Sequence, residues 1–173
     1  MRPIVIDGSN IAVEHAKEKL NMLKRQRQDT PTRRLPVFSC EGILNCVKYF
    51  KERGHRDIVV FIPEFRLKQV KSDNQHILLK LRTEGVLKTI PSHEIYNKIV
   101  NTYDDRFTLE YALGKDAVIV SNDNFRDLVK EDSKFEGLIH TRLLKFTWVD
   151  DTFMFLSDPR GKNGPTLDEF LRL

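Results

Sequence analysis

Cysteine, tryptophan and long apolar runs are scarce in this sequence, and these scarcities exclude several classes of protein. The 173 residues include two cysteines, Cys40 and Cys46, whose spacing fits neither a disulfide framework nor a set of metal ligands. We therefore expect reduced core thiols in an intracellular protein. No apolar run approaches the roughly 20 residues that span a bilayer, and no secretory leader is seen, so a soluble protein without membrane contact is predicted.

Strand-like and helix-like segments alternate along the chain. The hydrophobic content of 40% is enough for one substantial core, so we expect a single domain over residues 1–173. The alternation predicts an α/β fold in which helices cover both sides of a mostly parallel sheet. Strands are predicted at 3–7, 57–63, 86–92 and 117–121, and helices at about 40–53, 73–85, from 104 onward, 125–129 and 135–144.

The C-terminal part departs from this alternation. Residues 145–155, KFTWVDDTFMF, contain two aromatic-rich runs that meet at Asp150 and Asp151, which predicts a hairpin or a strand with a turn. In the following GPTLDEFLRL, Thr166 and Glu169 have the spacing of a capping box, so a short helix is expected there.

Positive charge is concentrated in one segment. The net charge is +4, and residues 14–34 hold seven Lys or Arg against three acids, which leaves the rest of the chain balanced. We interpret about 14–36 as an inserted basic loop. On charge alone, a solvated loop and a polyanion-binding segment are equal alternatives. The basic residues proposed to bind phosphates are Lys24, Arg25, Arg27, Arg33 and Arg34.

Acidic residues recur where predicted strands end or helices begin. Because the carboxyl ends of parallel strands share one edge of the sheet, these side chains are expected to converge. Helix capping is the alternative for each acid taken singly, and for Asp127 a surface role is an equal alternative. The candidate site residues are Asp7, Asn10, Asp104, Asp105, Asp123 and Asp127.

Crowded carboxylates repel one another unless a cation lies between them. An all-oxygen ligand set suits Mg²⁺, with Mn²⁺ as a substitute, and we predict Asp7, Asp105 and Asp123 as its ligands. Such an ion supports phosphodiester hydrolysis, with Arg126 near enough in sequence to contact a phosphate. The five histidines form no cluster, which disfavours metal-free histidine chemistry.

Seven motifs together resemble a known family. They are PIVIDGSNIA, VVFIPEFR, DNQHIL, YDDRFTLEYA, VSNDNFRDL, RLLKFTWVDDTFM and DPRGKNGPTLDEFL. In this order they resemble the NYN-type PIN-like ribonuclease domain of the Regnase (MCPIP) family, over all but about residues 14–36. The resemblance implies a PIN-like three-layer α/β/α sandwich and Mg²⁺-dependent endoribonuclease activity on messenger RNA in RNA decay, at stem-loops or single strands. It implies an active site lined by the six candidates above, and RNA contacts from Lys71, Lys98 and Arg126.

The chain also departs from the family pattern. Glu41 stands where the family often has Arg, and the basic segment 14–36 is a candidate compensation. Many members carry a zinc finger beyond this domain, so we expect a flanking zinc finger or another RNA-binding region in the full-length protein. We expect a cytoplasmic protein, with the nucleus as the alternative, and leave homo-oligomerisation open.

Two other classes of function compete with a nuclease. A phosphoacceptor domain needs one acceptor carboxylate after the middle strand, where this chain offers only Glu64, so that class is disfavoured. A non-catalytic RNA-binding or protein-interaction module on a PIN-like fold is the remaining alternative. Concentrated negative charge argues against it, because a pure polyanion binder gains nothing from acids in its cleft.

Overall fold

The computed structural model describes residues 1–26, 37–69, 74–91, 94–95, 98–99 and 102–172. Among these, the elements in chain order are β1 (Ile4–Asp7), α1 (Gly8–Arg25), α2 (Cys40–Glu52), β2 (Ile58–Pro63), α3 (Glu64–Gln69), α4 (Gln75–Thr83), β3 (Leu87–Ile90), β4 (Glu94–Ile95), β5 (Lys98–Ile99), α5 (Thr102–Lys115), β6 (Val118–Val120), α6 (Arg126–Glu131), α7 (Lys134–Arg142), β7 (Leu143–Leu144), β8 (Thr147–Val149), β9 (Thr152–Met154) and α8 (Leu167–Arg172).

A parallel sheet in the order β3-β2-β1-β6-β7 forms the centre of the molecule. Side chains alternate between its faces, so Ile4 and Ile6 belong to one buried cluster and Val5 to another. The first cluster contains residues of α1, α2, α4 and the β8–β9 hairpin, and the second contains residues of α5, α6 and α7. The predicted α/β sandwich, with helices on both faces of a parallel sheet, is confirmed.

The first helix, α1, was not predicted from the sequence. The expected basic loop of about 14–36 is wrong for residues 14–25, because these continue α1 to Arg25. Ile11, Ala12 and His15 are buried on one face of α1, so the helix packs against the core through this stretch rather than extending into solvent. The remainder of the expected loop, with Arg27, Arg33 and Arg34, lies outside the described residues, as does Lys71.

A fifth strand replaces the predicted end of a helix. Residues 135–144 were expected to be helical, but the helix ends at Arg142, and Leu143 and Leu144 pair with Ile119 and Val120 of β6. Both leucines are buried, so sheet pairing outweighs their helical propensity. The short elements α3, β4 and β5 were also not predicted.

The C-terminal prediction is confirmed as a hairpin. Strands β8 and β9 are antiparallel, and Asp150 and Asp151 between them have φ angles of 45° and 66°. Positive φ at both turn residues is the geometry of a tight hairpin that follows the strand twist. The predicted capping box is also present, since Glu169 Oε2 accepts from the Thr166 amide at 2.8 Å.

Both cysteines are buried and unpaired, as expected from the sequence. None of the helices in the described part of the chain is both long and apolar enough to cross a membrane.

Candidate active site

Asp7 lies where the central strand β1 ends and α1 begins. Its Oδ1 accepts a hydrogen bond from the Asn10 amide at 3.1 Å, which caps α1, and its Oδ2 accepts from the Ser121 hydroxyl at 2.8 Å. Burial raises the pKa of the Asp7 carboxyl, these two hydrogen bonds oppose the shift, and the charge of Asp123 adds to it. Asp7 therefore acts as a helix cap and also presents a carboxylate that its surroundings stabilise poorly.

The backbone after Asp7 approaches the neighbouring strand too closely for any side chain at position 8. A Cβ atom on Gly8 would lie 2.5 Å from Ile62 Cγ2 and 2.8 Å from the Phe61 carbonyl oxygen. Glycine at this position thus fixes how α1 leaves the sheet beside β2.

Asp123 follows β6 in a loop held by several local hydrogen bonds. Its Oδ1 accepts from the Phe125 amide at 2.7 Å, and its own amide donates to Ser121 Oγ at 3.1 Å. Phe125 is buried and has a φ of 50°, a left-handed conformation that costs a non-glycine residue energy. Because Ser121 Oγ also donates to Asp7, this one hydroxyl couples the two acidic positions.

Asn10 fixes the Asp123 loop from the side of α1. Its Oδ1 accepts from the Asn122 amide at 2.8 Å, and Asn122 Oδ1 in turn accepts from the Phe146 amide at 3.1 Å. The side chain of Asn10 is therefore positioned to orient the loop that carries Asp123.

Asp104 and Asp105 open α5 at the same edge of the sheet. Burial and the charge of Asp7 raise the pKa of Asp104 to about 6. Burial, followed by the charges of Asp7, Asp123 and Asp104, raises the pKa of Asp105 to about 7. Four carboxylates thus lie close enough to repel one another, and Asp105 feels all three of the others.

A cleft beside these acids has an apolar wall and one basic residue. Asp7, Asp104 and Asp105 form its acidic side. The opposite wall comes from β2, α3 and β3 and consists of Phe61, Ile62, Pro63, Phe65, Arg66 and Ile90. The Arg66 guanidinium lies 5.0 Å from the ring centres of both Phe38 and Phe65, and burial lowers its pKa.

Several other predicted residues lie apart from the four acids. Asp127 is exposed in the first turn of α6 and does not line the cleft. Arg126, also exposed, lines a different cavity between α6 and α7. Lys24 and Arg25 are at the far end of α1, roughly 25 Å along the helix from Asp7. Lys98 belongs to β5, but its side chain is not described.

Two departures from expectation concern charge. Glu41, which stands in place of a family arginine, forms an ion pair with Lys19 of α1, so its charge is balanced within the protein. Arg25 pairs with Glu18 and lies 3.6 Å from Asp150, so part of the predicted basic segment is already neutralised.

Sequence reasoning missed three polar residues of this region. Ser121 was treated only as a strand end, although its place between β6 and Asp123 made a contact with a neighbouring strand-end acid foreseeable. Arg66 lines the cleft from α3 and carried no signal, because α3 itself was not predicted. Thr108 lines it from α5, one turn after Asp104, and this helical spacing was the signal that could have found it.

The donor set fits a hydrated magnesium ion better than a tightly liganded metal. In the described ranges, no group of three or more His, Cys, Asp or Glu side chains is arranged to hold one metal ion directly. Mg²⁺ keeps several of its waters and takes only one or two carboxylates directly, so it does not need such a group. The raised pKa values of Asp104 and Asp105 record a local excess of negative charge that a divalent cation relieves.

A PIN-like α/β domain, with carboxylates gathered where the strand order reverses between β1 and β6, is the class of protein that this fold and site define. Residues 1–169 match the family described as the Zc3h12a-like ribonuclease NYN domain. The chain belongs to this family, which confirms the resemblance drawn from its motifs.

A curated relative agrees with this assignment, and two solved structures share the fold. Endoribonuclease rege-1 of Caenorhabditis elegans is 39% identical over 175 residues, covering 99% of this chain and 25% of that protein. The chain therefore spans about a quarter of the relative's length. Two structures of the nuclear protein-only RNase P 2 (PRORP2) of Arabidopsis thaliana share the fold, with TM-scores of 0.61 and 0.62 at 17% and 18% identity. The matched region covers 89% and 90% of this chain, and 29% and 30% of the two PRORP2 chains.

Proposed function

We propose that this chain is the catalytic domain of a metal-dependent endoribonuclease that hydrolyses phosphodiester bonds in messenger RNA. The observation that carries the proposal is the convergence of four carboxylates, those of Asp7, Asp104, Asp105 and Asp123. The charges of the other three all raise the pKa of Asp105. A protein gains nothing in stability from gathering such charges, so the arrangement is best explained by a bound cation and a reaction that uses it.

We propose Mg²⁺ as the cation, with Mn²⁺ as a substitute, held by Asp7, Asp105 and Asp123, with one or two of these carboxylates bound directly and the rest through the waters of the ion. When bound, the ion supplies a Lewis acid for a phosphoryl oxygen and lowers the pKa of a water molecule. Asp105 is favoured over Asp104 as a ligand because the charges of both Asp7 and Asp123 raise the pKa of Asp105, whereas of these two only Asp7 raises that of Asp104.

The other residues of the site would bind and orient. Ser121 and the Asn10 amide hold both oxygens of Asp7, and the Asn10 side chain holds the loop of Asp123. Arg66 is placed across the cleft from the acids, where a guanidinium suits a phosphate oxygen. Phe65 offers an aromatic face beside it for stacking an unpaired base.

The test is cleavage of labelled single-stranded and stem-loop RNA in Mg²⁺, Mn²⁺ or EDTA. We expect cleavage in either metal and none in EDTA. Asp7→Asn and Asp123→Asn should each lower the rate by at least about 100-fold, because each removes a charge that holds the ion. Circular dichroism should show that both variants remain folded.

The matched control for these variants is Asp57→Asn. Asp57 is exposed and precedes β2 at the opposite edge of the sheet, so its loss should leave cleavage unchanged. Near-normal cleavage by both site variants would rule out the metal site. Binding of RNA without cleavage by the wild-type chain in either metal would instead support the non-catalytic binding module.

The relative's greater length bears on the whole protein. Because this chain covers a quarter of that relative, we propose that a flanking zinc finger or other RNA-binding region supplies part of the RNA affinity. A cytoplasmic location, where messenger RNA is turned over, follows from the proposed substrate.

A further inference from the structure

A second cavity lies on the edge of the sheet opposite the acidic cleft, and its polar lining is basic. Arg2, Arg142 and Arg160 line it together with His140, and the ring of Phe170 forms part of its wall. Arg2 precedes β1 and Arg142 precedes β7, so both stand at the amino ends of parallel strands. Since β1 has four residues, this arginine pocket is separated from Asp7 by at least about 13 Å.

The three guanidinium groups are held in place, but their charge is only partly neutralised. Arg2 and Arg142 share one carboxylate, that of Asp116, at 2.8 Å each. Arg160 donates to the Leu143 carbonyl oxygen at 2.9 Å, a partner without charge. Three positive charges therefore face one negative charge.

Burial and the positive charge of Arg142 lower the pKa of Arg160. An anion in the arginine pocket would relieve this repulsion. Arg2 and Arg142 have side chains that are only 12% and 22% exposed, so their positions are set before any ligand arrives.

The arginine pocket adjoins the cavity between α6 and α7. His140 lines both the arginine pocket and the cavity between α6 and α7. The cavity between α6 and α7 is also lined by Arg126 and Lys130, with Glu136 as the single carboxylate of its lining. Arg126 is three residues from Asp123, and α7 runs from this side of the sheet to Arg142 at the other.

We propose that these two cavities form one RNA track, in which the strand leaves the acidic cleft, crosses α6 and α7, and places a backbone phosphate in the arginine pocket. The inference rests on the proposed ribonuclease function and extends it by naming the path of the substrate. Arginine suits this task because its planar guanidinium donates two parallel hydrogen bonds to a phosphate. Of the three arginines, Arg160 is the one that does not pair with Asp116, so a bound phosphate would balance its charge.

The decisive measurement is RNA affinity in the non-cleaving Asp123→Asn variant, with Arg160→Gln added. The α7 helix is about 13 Å long, a distance that about four stacked nucleotides cover. Arg160→Gln should weaken the binding of a single strand of about 12 nucleotides by roughly 5- to 10-fold and flatten its salt dependence by roughly 0.7. Binding of a strand of about two nucleotides should not change, because it covers only about half of that distance and cannot reach from the cleft to the arginine pocket.

Two further variants separate a phosphate contact from a general charge effect. Arg82→Gln removes the same charge from an exposed position on α4, which packs on α2 and β3, and should leave both affinities unchanged. Arg160→Lys keeps the charge and should retain part of the affinity. Lys130→Gln tests the track at an exposed residue between the two ends, and should weaken the longer strand alone.

Several results would overturn the RNA track. One such result is that Arg160→Gln, with an unchanged unfolding midpoint, lowers the affinity for short and long strands equally. Another is that it lowers neither affinity. Inorganic pyrophosphate in EDTA tests a different ligand. If it binds in an Arg160-dependent way while RNA affinity is unaffected, the pocket takes a small anion and the track is wrong. Because the RNA-binding measurements use a non-cleaving variant, either result leaves the proposed nuclease activity to its own test.

Discussion

At the scale of single residues, Asp105 carries the clearest electrostatic cost. Burial and three neighbouring carboxylates raise its pKa from 3.8 to about 7. An acid with a higher pKa in the folded protein binds more protons when folded than when unfolded. The free energy of unfolding therefore falls as the pH rises between the two values, and the loss is complete above the folded-state pKa.

We predict that the metal-free protein becomes less stable between about pH 4 and about pH 7, and that Asp105→Asn removes much of this dependence. At alkaline pH the variant should be more stable than the wild type by at least about 1 kcal/mol, or roughly 2–4 °C in the unfolding midpoint. Thermal unfolding in EDTA across this range measures the effect, with Asp57→Asn as the control. A pH dependence that Asp105→Asn leaves intact would contradict the prediction.

Asp104 and Asp105 should contribute unequally to turnover. Neighbouring residues in a helix point about 100° apart, so both cannot face one ion equally. Asp105→Asn should lower the rate at saturating Mg²⁺ by at least about 10-fold more than Asp104→Asn, as measured by single-turnover cleavage. Equal losses would show that the two carboxylates share the task.

Single residues were predictable where their position in the sheet decided their place. Asp7 and Asp123 follow strands, and parallel pairing alone brings such residues to one edge. By the same reasoning the contact of Ser121 with Asp7 was foreseeable, whereas Arg66 could not be assigned, because it lies on a helix, α3, that periodicity does not reveal.

At the scale of elements, α1 changes the meaning of the basic segment. Its last turn carries Lys24 and Arg25 on an ordered helix, and Arg25 already pairs with Glu18. Positive charge at this end also complements the helix dipole, so the segment has a structural as well as a binding explanation.

We predict that replacing Lys24, Arg25, Arg27, Arg33 and Arg34 by Gln weakens RNA binding much more than it changes turnover at saturating RNA. For each RNA phosphate that is no longer neutralised, the slope of log affinity against log salt should flatten by roughly 0.7 for a single strand. The measurement uses the Asp123→Asn background from low to high salt. An unchanged slope would assign these charges to solvation and helix capping alone.

Elements with a strong hydrophobic periodicity were predicted from the sequence, whereas elements formed by long-range strand pairing were not. The helix α2 and the strand β2 agree with prediction within one residue at each end. Strand β7 is two residues long and exists because β6 offers it an edge, so no local pattern specifies it.

At the scale of the whole molecule, the parallel sheet sorts charge between its two edges. Acids gather at the carboxyl ends of the strands and arginines at the amino ends. The fold class was predictable because alternating strands and helices admit few arrangements. The charge sorting was predictable only for the acidic edge, since the arginines come from three distant parts of the sequence.

Metal binding should stabilise the whole fold. An ion that binds only the folded protein at 100 times its dissociation constant adds about 2.7 kcal/mol of stability. We therefore predict that titration with Mg²⁺ raises the unfolding midpoint of the wild type and of Asp57→Asn, and that Asp7→Asn abolishes most of the increase. An equal rise in all three proteins would indicate nonspecific salt stabilisation.

The separation of charge across the sheet gives the domain an electric dipole moment, and this has a consequence for the order of binding. A diffusing polyanion is oriented toward the arginine edge and repelled by the bare acidic cleft. For the proposed nuclease, entry of the scissile phosphate into the cleft requires that the cation be there first. We therefore predict ordered binding, with metal before RNA, and an association rate for productive complexes that rises with metal concentration until the cleft is saturated.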